Sequence, residues 1–147
     1  MTLRYVDTSA LVRAYLVDEP DHVALSHLLF DSVDAVVTSE LALLEFSAAA
    51  ARAHRAGRIP SAEPLRQRFA DDCRPGGAIL LLQLRVREVL RRANTLVRAH
   101  PLRTLDALHL AVALEDARPL AVGDALLFVT RDREQAAAAA ACGLRVQ

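Results

Sequence analysis

Short apolar segments with the length of buried strands alternate with segments of helical length along almost the whole chain. The strand-like segments lie at residues 3–6, 35–37, 79–82, 126–129 and 144–146. Periodicity and capping residues predict helices at about 9–17, 21–31, 38–56, 60–72, 85–100, 104–115 and 131–141. Strands that alternate with helices in this way pair as a parallel sheet that helices cover on both faces. The sequence therefore predicts an α/β fold with a central, mostly parallel sheet.

The composition is that of a folded protein of ordinary size. With 147 residues, 53% of them hydrophobic, the chain is long enough for one domain with a real core and too apolar for intrinsic disorder. No apolar run approaches the roughly 20 residues needed to cross a bilayer, and the N-terminus lacks a signal-peptide pattern. We therefore expect one cytoplasmic domain over residues 1–147, with no membrane partner. Cys73 and Cys142 have no metal-ligand spacing and are expected to be free thiols.

Four acidic residues, Asp7, Glu45, Asp106 and Asp132, lie within or beside apolar segments. Asp7 and Asp132 come just after two of the predicted strands, and parallel α/β sheets bind ligands beyond the carboxyl ends of their strands. Carboxylates that converge repel one another unless a cation lies between them. Carboxylate oxygens are ligands that suit Mg²⁺ or Mn²⁺. The four acids therefore predict a metal-dependent enzyme that acts on phosphate esters.

Each acid also has an ordinary structural explanation. Asp7 could cap the helix that follows it, and Asp106 and Asp132 could be acids favoured by the dipole at a helix N-terminus. Glu45 is harder to explain in this way, because its helical neighbours three and four residues away are all apolar. Those neighbours are Leu41, Ala42, Ala48 and Ala49. Glu40 lies in the first turn, where an acid needs no special reason, so Glu45 is the stronger candidate.

The net charge is zero, but the charges are unevenly distributed. Residues 1–51 carry a balance of −6, residues 52–103 carry +8 and residues 104–147 carry −2. Two interpretations of the Arg-rich segment at 52–103 remain open. Its arginines could lie on solvated helix faces in a protein from a GC-rich genome, or they could bind phosphates beside an acidic metal site.

The chain contains no lysine, because all 18 of its basic residues are arginine. A P-loop NTPase requires a lysine on the nucleotide phosphates, so that class is excluded. Enzymes that form a Schiff base on lysine are excluded for the same reason.

The order of the four acids, taken with their neighbours, resembles the PIN-domain family, and within it the VapC-type toxins of bacterial toxin–antitoxin pairs. The resemblance spans almost the whole chain. It is carried by YVDTSAL at 5–11, TSELALLEF at 38–46, LRTLDALHLA at 102–111 and FVTRD at 128–132.

The resemblance implies a three-layer α/β/α PIN-like sandwich and a Mg²⁺- or Mn²⁺-dependent ribonuclease that a small VapB-type antitoxin holds inactive. It also implies a homodimer as the expected assembly. The residues implied as catalytic and metal-binding are Asp7, Glu45, Asp106 and Asp132. Ser9 and Thr130 match hydroxyl positions that line the pocket in this family.

The partner surface can be placed as an expectation. Several apolar residues in the N-terminal third and in the helix of Glu45 look exposed: Leu16, Val17, Leu28, Leu29, Leu43 and Phe46. We expect them to form a hydrophobic groove beside Asp7 and Glu45 that binds a helical antitoxin segment. The alternative is that they pack inside the monomer or in a homodimer.

Two other functions stay open at this stage. One is a different α/β phosphate-ester hydrolase, although a phosphatase of the haloacid-dehalogenase type needs a second aspartate where Ser9 stands and normally a lysine. The other is a non-catalytic PIN-fold module that binds RNA or acts as a scaffold. No histidine is a convincing general base, and His109, three residues after Asp106, is interpreted as a packing residue of the core.

Overall fold

Five strands form one parallel sheet in the computed structural model of this chain, which describes residues 1–147. The strands are β1 (Thr2–Val6), β2 (Ala35–Ser39), β3 (Ile79–Leu82), β4 (Ala125–Val129) and β5 (Arg145–Val146). The α-helices are α1 (Thr8–Tyr15), α2 (His22–Phe30), α3 (Leu41–Arg55), α4 (Glu63–Asp72), α5 (Val86–Ala99), α6 (Thr104–Val112), α7 (Arg118–Leu120) and α8 (Arg133–Ala141). The predicted parallel sheet is therefore confirmed.

The strand order is β3-β2-β1-β4-β5, with β1 at the centre. From β1 the chain moves outward to β2 and β3 on one side, and it returns later to β4 and β5 on the other side. Such a reversal opens a crevice beyond the carboxyl ends of the two central strands. Asp7 extends the pairing of β1 with β4, since its backbone N–H donates to the carbonyl of Val129 at 2.9 Å.

Helices cover both faces of the sheet, and each face has its own apolar core. Alternate residues of β1 serve the two cores, because side chains of a strand point to opposite faces in turn. Tyr5 packs into a cluster of 20 buried residues beneath α5, α6 and α8. Val6 packs into a cluster of 13 buried residues beneath α1 to α4. The result is the three-layer α/β/α arrangement.

The sixth predicted helix differs from expectation at its C-terminal end. It was expected as one helix at 104–115, but regular α-helix ends at Val112. A π-helical segment, Ala113–Ala117, follows and leads directly into α7. Arg85, at the start of α5, pairs with Asp116 of this segment, so the widened turn brings an acid within reach of the neighbouring helix.

The expected apolar groove is largely wrong. Leu16, Leu29 and Phe46 are buried in the core, Leu28 is partly buried, and only Val17 and Leu43 are exposed. The buried residues of this set lie in the interior because two helices, α3 and α4, pack together over this face of the sheet.

Both cysteines are free, as expected. No helix of the structure combines the length and the hydrophobicity that a membrane crossing requires.

Candidate active site

A cleft of about 650 Å³ opens at the carboxyl edge of the sheet, between α1, α3 and the start of α6. Three of the four predicted acids, Asp7, Glu45 and Asp106, line it, together with Ser9. Its apolar lining is small: Val12, Ala48, Ala49 and Leu105. Asp132 does not line this cleft but is connected to it through Arg103.

Asp7 lies at the floor of the cleft and is almost fully buried. It is the N-cap of α1, and its Oδ2 accepts a hydrogen bond from the backbone N–H of Ser9 at 3.0 Å. The explanation of Asp7 as a helix cap is thus correct, but it accounts for only one of the two carboxylate oxygens. The other oxygen, Oδ1, is held separately by Gln135. The carboxylate is therefore fixed in orientation at both oxygens.

Gln135 is completely buried and connects three elements of the site. Its side-chain amide donates to Asp7 Oδ1 at 3.2 Å and to the carbonyl of Asp106 at 3.1 Å. Its Oε1 accepts from the hydroxyl of Thr130. A buried amide with all of these partners rigidifies the groups that it joins. Gln135 thereby ties the end of β1 to the start of α6 and to the segment after β4.

Glu45 reaches the cleft from α3, and Glu40 does not. The Oε1 atom of Glu45 accepts hydrogen bonds from the hydroxyl of Thr8, at 3.1 Å, and from Nε2 of His109. Glu40 is exposed on the far side, where it accepts from the backbone N–H of Leu84 at 2.7 Å. The helix phase inferred from the apolar neighbours of Glu45 thus agrees with the structure.

His109 is a fully buried core residue, as expected, but it also belongs to the site. Its Nδ1 is hydrogen-bonded to the hydroxyl of Tyr5 at 2.8 Å, and its Nε2 contacts Glu45 and the hydroxyl of Thr8. Burial alone would lower the pKa of His109, because it disfavours the imidazolium. The hydrogen bond to Glu45 and the charges of Asp7, Glu45 and Asp106 outweigh burial, so that the pKa is raised above its usual value.

Asp106 and Asp132 both form an ion pair with the guanidinium of Arg103. Nε of Arg103 donates to Asp106 Oδ2 at 3.0 Å, and Nη2 of Arg103 lies 3.6 Å from Asp132 Oδ2. Burial raises the pKa of Asp106, the hydrogen bond from Arg103 lowers it, and the charges of Asp7 and Asp132 raise it again. The net effect is a pKa above the ordinary value, for which burial is the main cause and the charges of Asp7 and Asp132 are smaller ones.

Hydrogen bonds of Asp132, Thr130 and Ser9 connect the segment after β4 to α8 and α1. Asp132 is the N-cap of α8 and accepts from the backbone N–H of Gln135 at 2.8 Å. The hydroxyl of Thr130 accepts from the backbone N–H of Asp132 at 3.1 Å. Ser9 accepts from the backbone N–H of Arg131 at 3.0 Å, so Ser9 joins the loop after β4 to the start of α1.

The carboxylate oxygens of the site are ligands that suit a hard divalent cation, but they do not form a complete coordination shell in this structure. No group of three or more histidine, cysteine, aspartate or glutamate side chains is arranged closely enough to hold a metal ion. The metal-binding role of Asp7, Glu45, Asp106 and Asp132 therefore stays a prediction. The charges of Asp7 and Asp132 raise the pKa of Asp106, and a cation bound beside Asp106 would offset them.

The sequence does not single out two residues that contact the acids, Gln135 and Arg103, and it does not reveal the contacts of a third, His109. Gln135 gave no signal, because a glutamine in the first turn of a helix needs no special reason. Arg103 was one of many arginines in a basic segment. His109 was noticed for its spacing from Asp106, and a buried imidazole among acids could have been inferred from that spacing.

A sequence model of the PIN domain matches residues 4–141. The chain belongs to the PIN-domain family. It is 36% identical to Ribonuclease VapC45 and to Ribonuclease VapC49, both from Mycobacterium tuberculosis. Each of these alignments extends over 152 residues and covers 99% of this chain and 95% of the relative.

Solved structures share this PIN-domain fold. The crystal structure of VapC20 of Mycobacterium tuberculosis, a toxin that cleaves the sarcin-ricin loop, superposes with a TM-score of 0.65 at 18% identity, covering 92% of this chain and 94% of that one. VapBC2 from Rickettsia felis, bound to a promoter DNA fragment, gives a TM-score of 0.64 at 11% identity, covering 99% and 97%. VapBC-1 from nontypeable Haemophilus influenzae gives 0.59 at 14% identity, covering 100% and 97%. At these identities the likeness establishes the fold.

Proposed function

We propose that this PIN-domain protein is a metal-dependent endoribonuclease and the toxin of a toxin–antitoxin pair, with its activity in the cytoplasm and its single domain spanning residues 1–147. The observation that carries the proposal is the cleft at the carboxyl edge of the sheet, which is lined by three acids from three separate elements. The identity with relatives named as ribonucleases supports the choice of RNA as substrate.

The proposed roles follow from the position of each acid. Asp7 and Asp106 are the firmest candidates to hold Mg²⁺ or Mn²⁺, because Gln135 fixes Asp7 Oδ1 and the backbone of Asp106 at the same time. Glu45 and Asp132 complete the set as outer ligands or as ligands of a second ion. Bound in this way, the cation would activate a water molecule and neutralise charge that develops on the phosphoryl oxygens.

The remaining side chains hold these acids in place. His109 and Thr8 both bind Oε1 of Glu45, which orients the carboxylate and leaves Oε2 without a hydrogen-bond partner. The hydroxyls of Ser9 and Thr130 connect the loop after β4 to α1, and Ser9 also lines the cleft. No protein nucleophile is required for hydrolysis in this scheme.

An antitoxin of the VapB type is the proposed partner, since two structures of the same fold are VapBC complexes. A basic side chain of the antitoxin placed in the cleft would satisfy the carboxylates and block the substrate. Co-expression with an adjacent small gene tests this part. Failure of the two proteins to co-purify would contradict it.

A homodimer is also proposed. Val86, Leu90 and Val97 are exposed on one side of α5, at spacings of four and seven residues that place them on one stripe. A monomer measured by light scattering over a wide concentration range would contradict this assembly.

The deciding experiment for the activity compares the purified protein with its Asp7→Asn variant on cellular RNA, with Mg²⁺, with Mn²⁺ and with EDTA. We expect cleavage by the wild type with either metal, and none with EDTA or by the variant. RNA binding without cleavage under every condition would favour the alternative, a non-catalytic PIN-fold module.

A further inference from the structure

Five of the twelve arginines of the basic segment at 52–103 form ion pairs outside the cleft. Arg85 and Arg92 pair with Asp116 and Glu115 between α5 and the π-helical segment. Other ion pairs lie on the surface and are formed by Arg58, Arg66 and Arg74. Of the twelve arginines in this segment, two line the cleft, Arg52 and Arg103. The charge excess of the segment is therefore not one phosphate-binding face.

Arg103 is occupied by the acids, and Arg52 is not. The guanidinium of Arg103 lies on Asp106 and Asp132. Arg52 is exposed in the cleft wall and makes neither an ion pair nor a side-chain hydrogen bond. A guanidinium without a partner in a cleft lined by carboxylates is positioned to bind an anionic ligand that enters with its own charge.

Arg52 lies on the same face of α3 as Glu45. The two residues are seven positions apart, which is about two helical turns or roughly 10 Å along the axis. Ala48 and Ala49, between them, have small side chains and also line the cleft, so nothing bulky separates Arg52 from Glu45. A phosphate that Arg52 binds therefore belongs to a neighbouring nucleotide and is not the phosphate above the acids.

A second arginine faces the same space from α1. Arg13 lines the cleft, and its only acidic neighbour within ion-pair distance is Glu19, at 4.0 Å. Glu19 is held more closely by Arg58, at 2.8 Å. Arg13 is thus only weakly paired. It lies six residues from Asp7 along α1, so it lines the cleft to one side of that acid.

We propose that Arg52, assisted by Arg13, binds the backbone phosphates that flank the scissile phosphodiester of a single-stranded RNA. This inference rests on the proposed ribonuclease function and adds the direction in which the RNA strand crosses the cleft, from the acids along α3. Because phosphate contacts position a nucleic acid without reading its bases, Arg52 contributes affinity and not sequence preference.

The test compares Arg52→Ala with Arg55→Ala in the full chain. Arg55 is a matched control, since it is exposed on the same helix, lies outside the cleft and makes no ion pair. Cleavage kinetics are measured on cellular RNA, and binding to a labelled single-stranded RNA of mixed sequence is measured by fluorescence anisotropy at several salt concentrations. Thermal unfolding confirms that both variants are folded.

For Arg52→Ala we expect KM and Kd to rise about five- to thirtyfold with kcat within about twofold, as for the loss of one charge-assisted phosphate contact. The slope of log K against log salt, which is negative, should become less steep by about 0.7. Arg55→Ala should match the wild type. Arg13→Ala should have a smaller effect of the same kind.

Three results would overturn the inference. If the wild type cleaves RNA and Arg52→Ala has unchanged KM, Kd and salt slope, the phosphate contact is wrong while the ribonuclease function stands. An equal loss in Arg55→Ala would show only general charge attraction. If the wild type neither binds nor cleaves RNA, the proposed function fails and this inference fails with it.

Discussion

The side-chain amide of Gln135 donates a hydrogen bond to Asp7 Oδ1 across 3.2 Å, although the two residues are 128 positions apart. The same amide nitrogen also donates to the carbonyl of Asp106. One buried glutamine thus connects a residue at the end of the first strand with the helix that carries the third acid. The fixed orientation of Asp7 depends on α8 as much as on α1.

Replacing Gln135 by leucine should destabilise the protein. The substitution keeps most of the volume but leaves Asp7 Oδ1 and the hydroxyl of Thr130 without this partner in the interior. An unsatisfied buried polar group costs about 1–3 kcal/mol, so we expect a fall in the free energy of unfolding of that order and reduced ribonuclease activity. Denaturant unfolding measures the first effect. Gln67→Leu is the control, because Gln67 makes a similar bond to Asp71 on the surface, and a loss as large as that of Gln135→Leu would contradict the argument.

The neighbouring acids of α3 provide a second prediction. Glu45→Gln should reduce RNA cleavage by at least about a hundredfold, the scale expected when a positioned acid–base or ligand group is lost. Glu40→Gln should leave cleavage within about twofold, since Glu40 is exposed and bound to the backbone of Leu84. Both proteins should be compared at equal folded concentration. An inactive Glu40→Gln protein beside an active Glu45→Gln protein would mean that the cleft has been assigned to the wrong face of α3.

The stability that His109 provides should depend on pH. Its pKa is raised in the folded protein, so the contribution of its imidazolium is fully present below the ordinary value of about 6.5 and is lost as the pH rises through the folded value. The Tm difference between the wild type and His109→Asn should therefore shrink from pH 6 to pH 9.

Differential scanning calorimetry across that range measures the effect of His109. His54→Asn, which changes an exposed histidine outside the cleft, is the control for the loss of a histidine as such. A difference for His109→Asn that stays constant or grows with pH would mean that His109 is neutral in the folded protein.

The fold could be predicted from the sequence because its determinants are local. Strand-length apolar runs and helix-length segments are distinguished by periodicity, and their alternation leaves few arrangements other than a parallel sheet. The strand at 79–82 was predicted with the bounds observed for β3. The placement of Glu45 was also accessible, since the side on which a helical residue lies follows from its neighbours three and four positions away.

The interactions among the acids could not be predicted in the same way. Asp7 and Glu45 each have a partner more than 60 positions away in the chain, Gln135 and His109 respectively. The burial of Phe46 depends on the packing of α4 against α3, with Phe69 of α4 stacked on its ring at 4.2 Å between centroids. Sequence periodicity identifies an apolar face but does not reveal which element covers it.

The last prediction concerns divalent metal and the stability of the cluster. Burial and the charges of Asp7 and Asp132 raise the pKa of Asp106, so a cation bound beside these acids should stabilise the folded state. At a metal concentration ten times the Kd the gain is about 1.4 kcal/mol, which corresponds to about 3–5 °C in Tm for a chain of this size. Millimolar Mg²⁺ or Mn²⁺ should produce such a shift at constant ionic strength.

Asp7→Asn should remove this shift in Tm while still capping α1, because asparagine caps helices as well as aspartate does. Asp124→Asn, which alters an exposed acid beside the N-terminal amine, should keep it. An equal shift in the wild type and in Asp7→Asn would place the stabilising ion away from these acids.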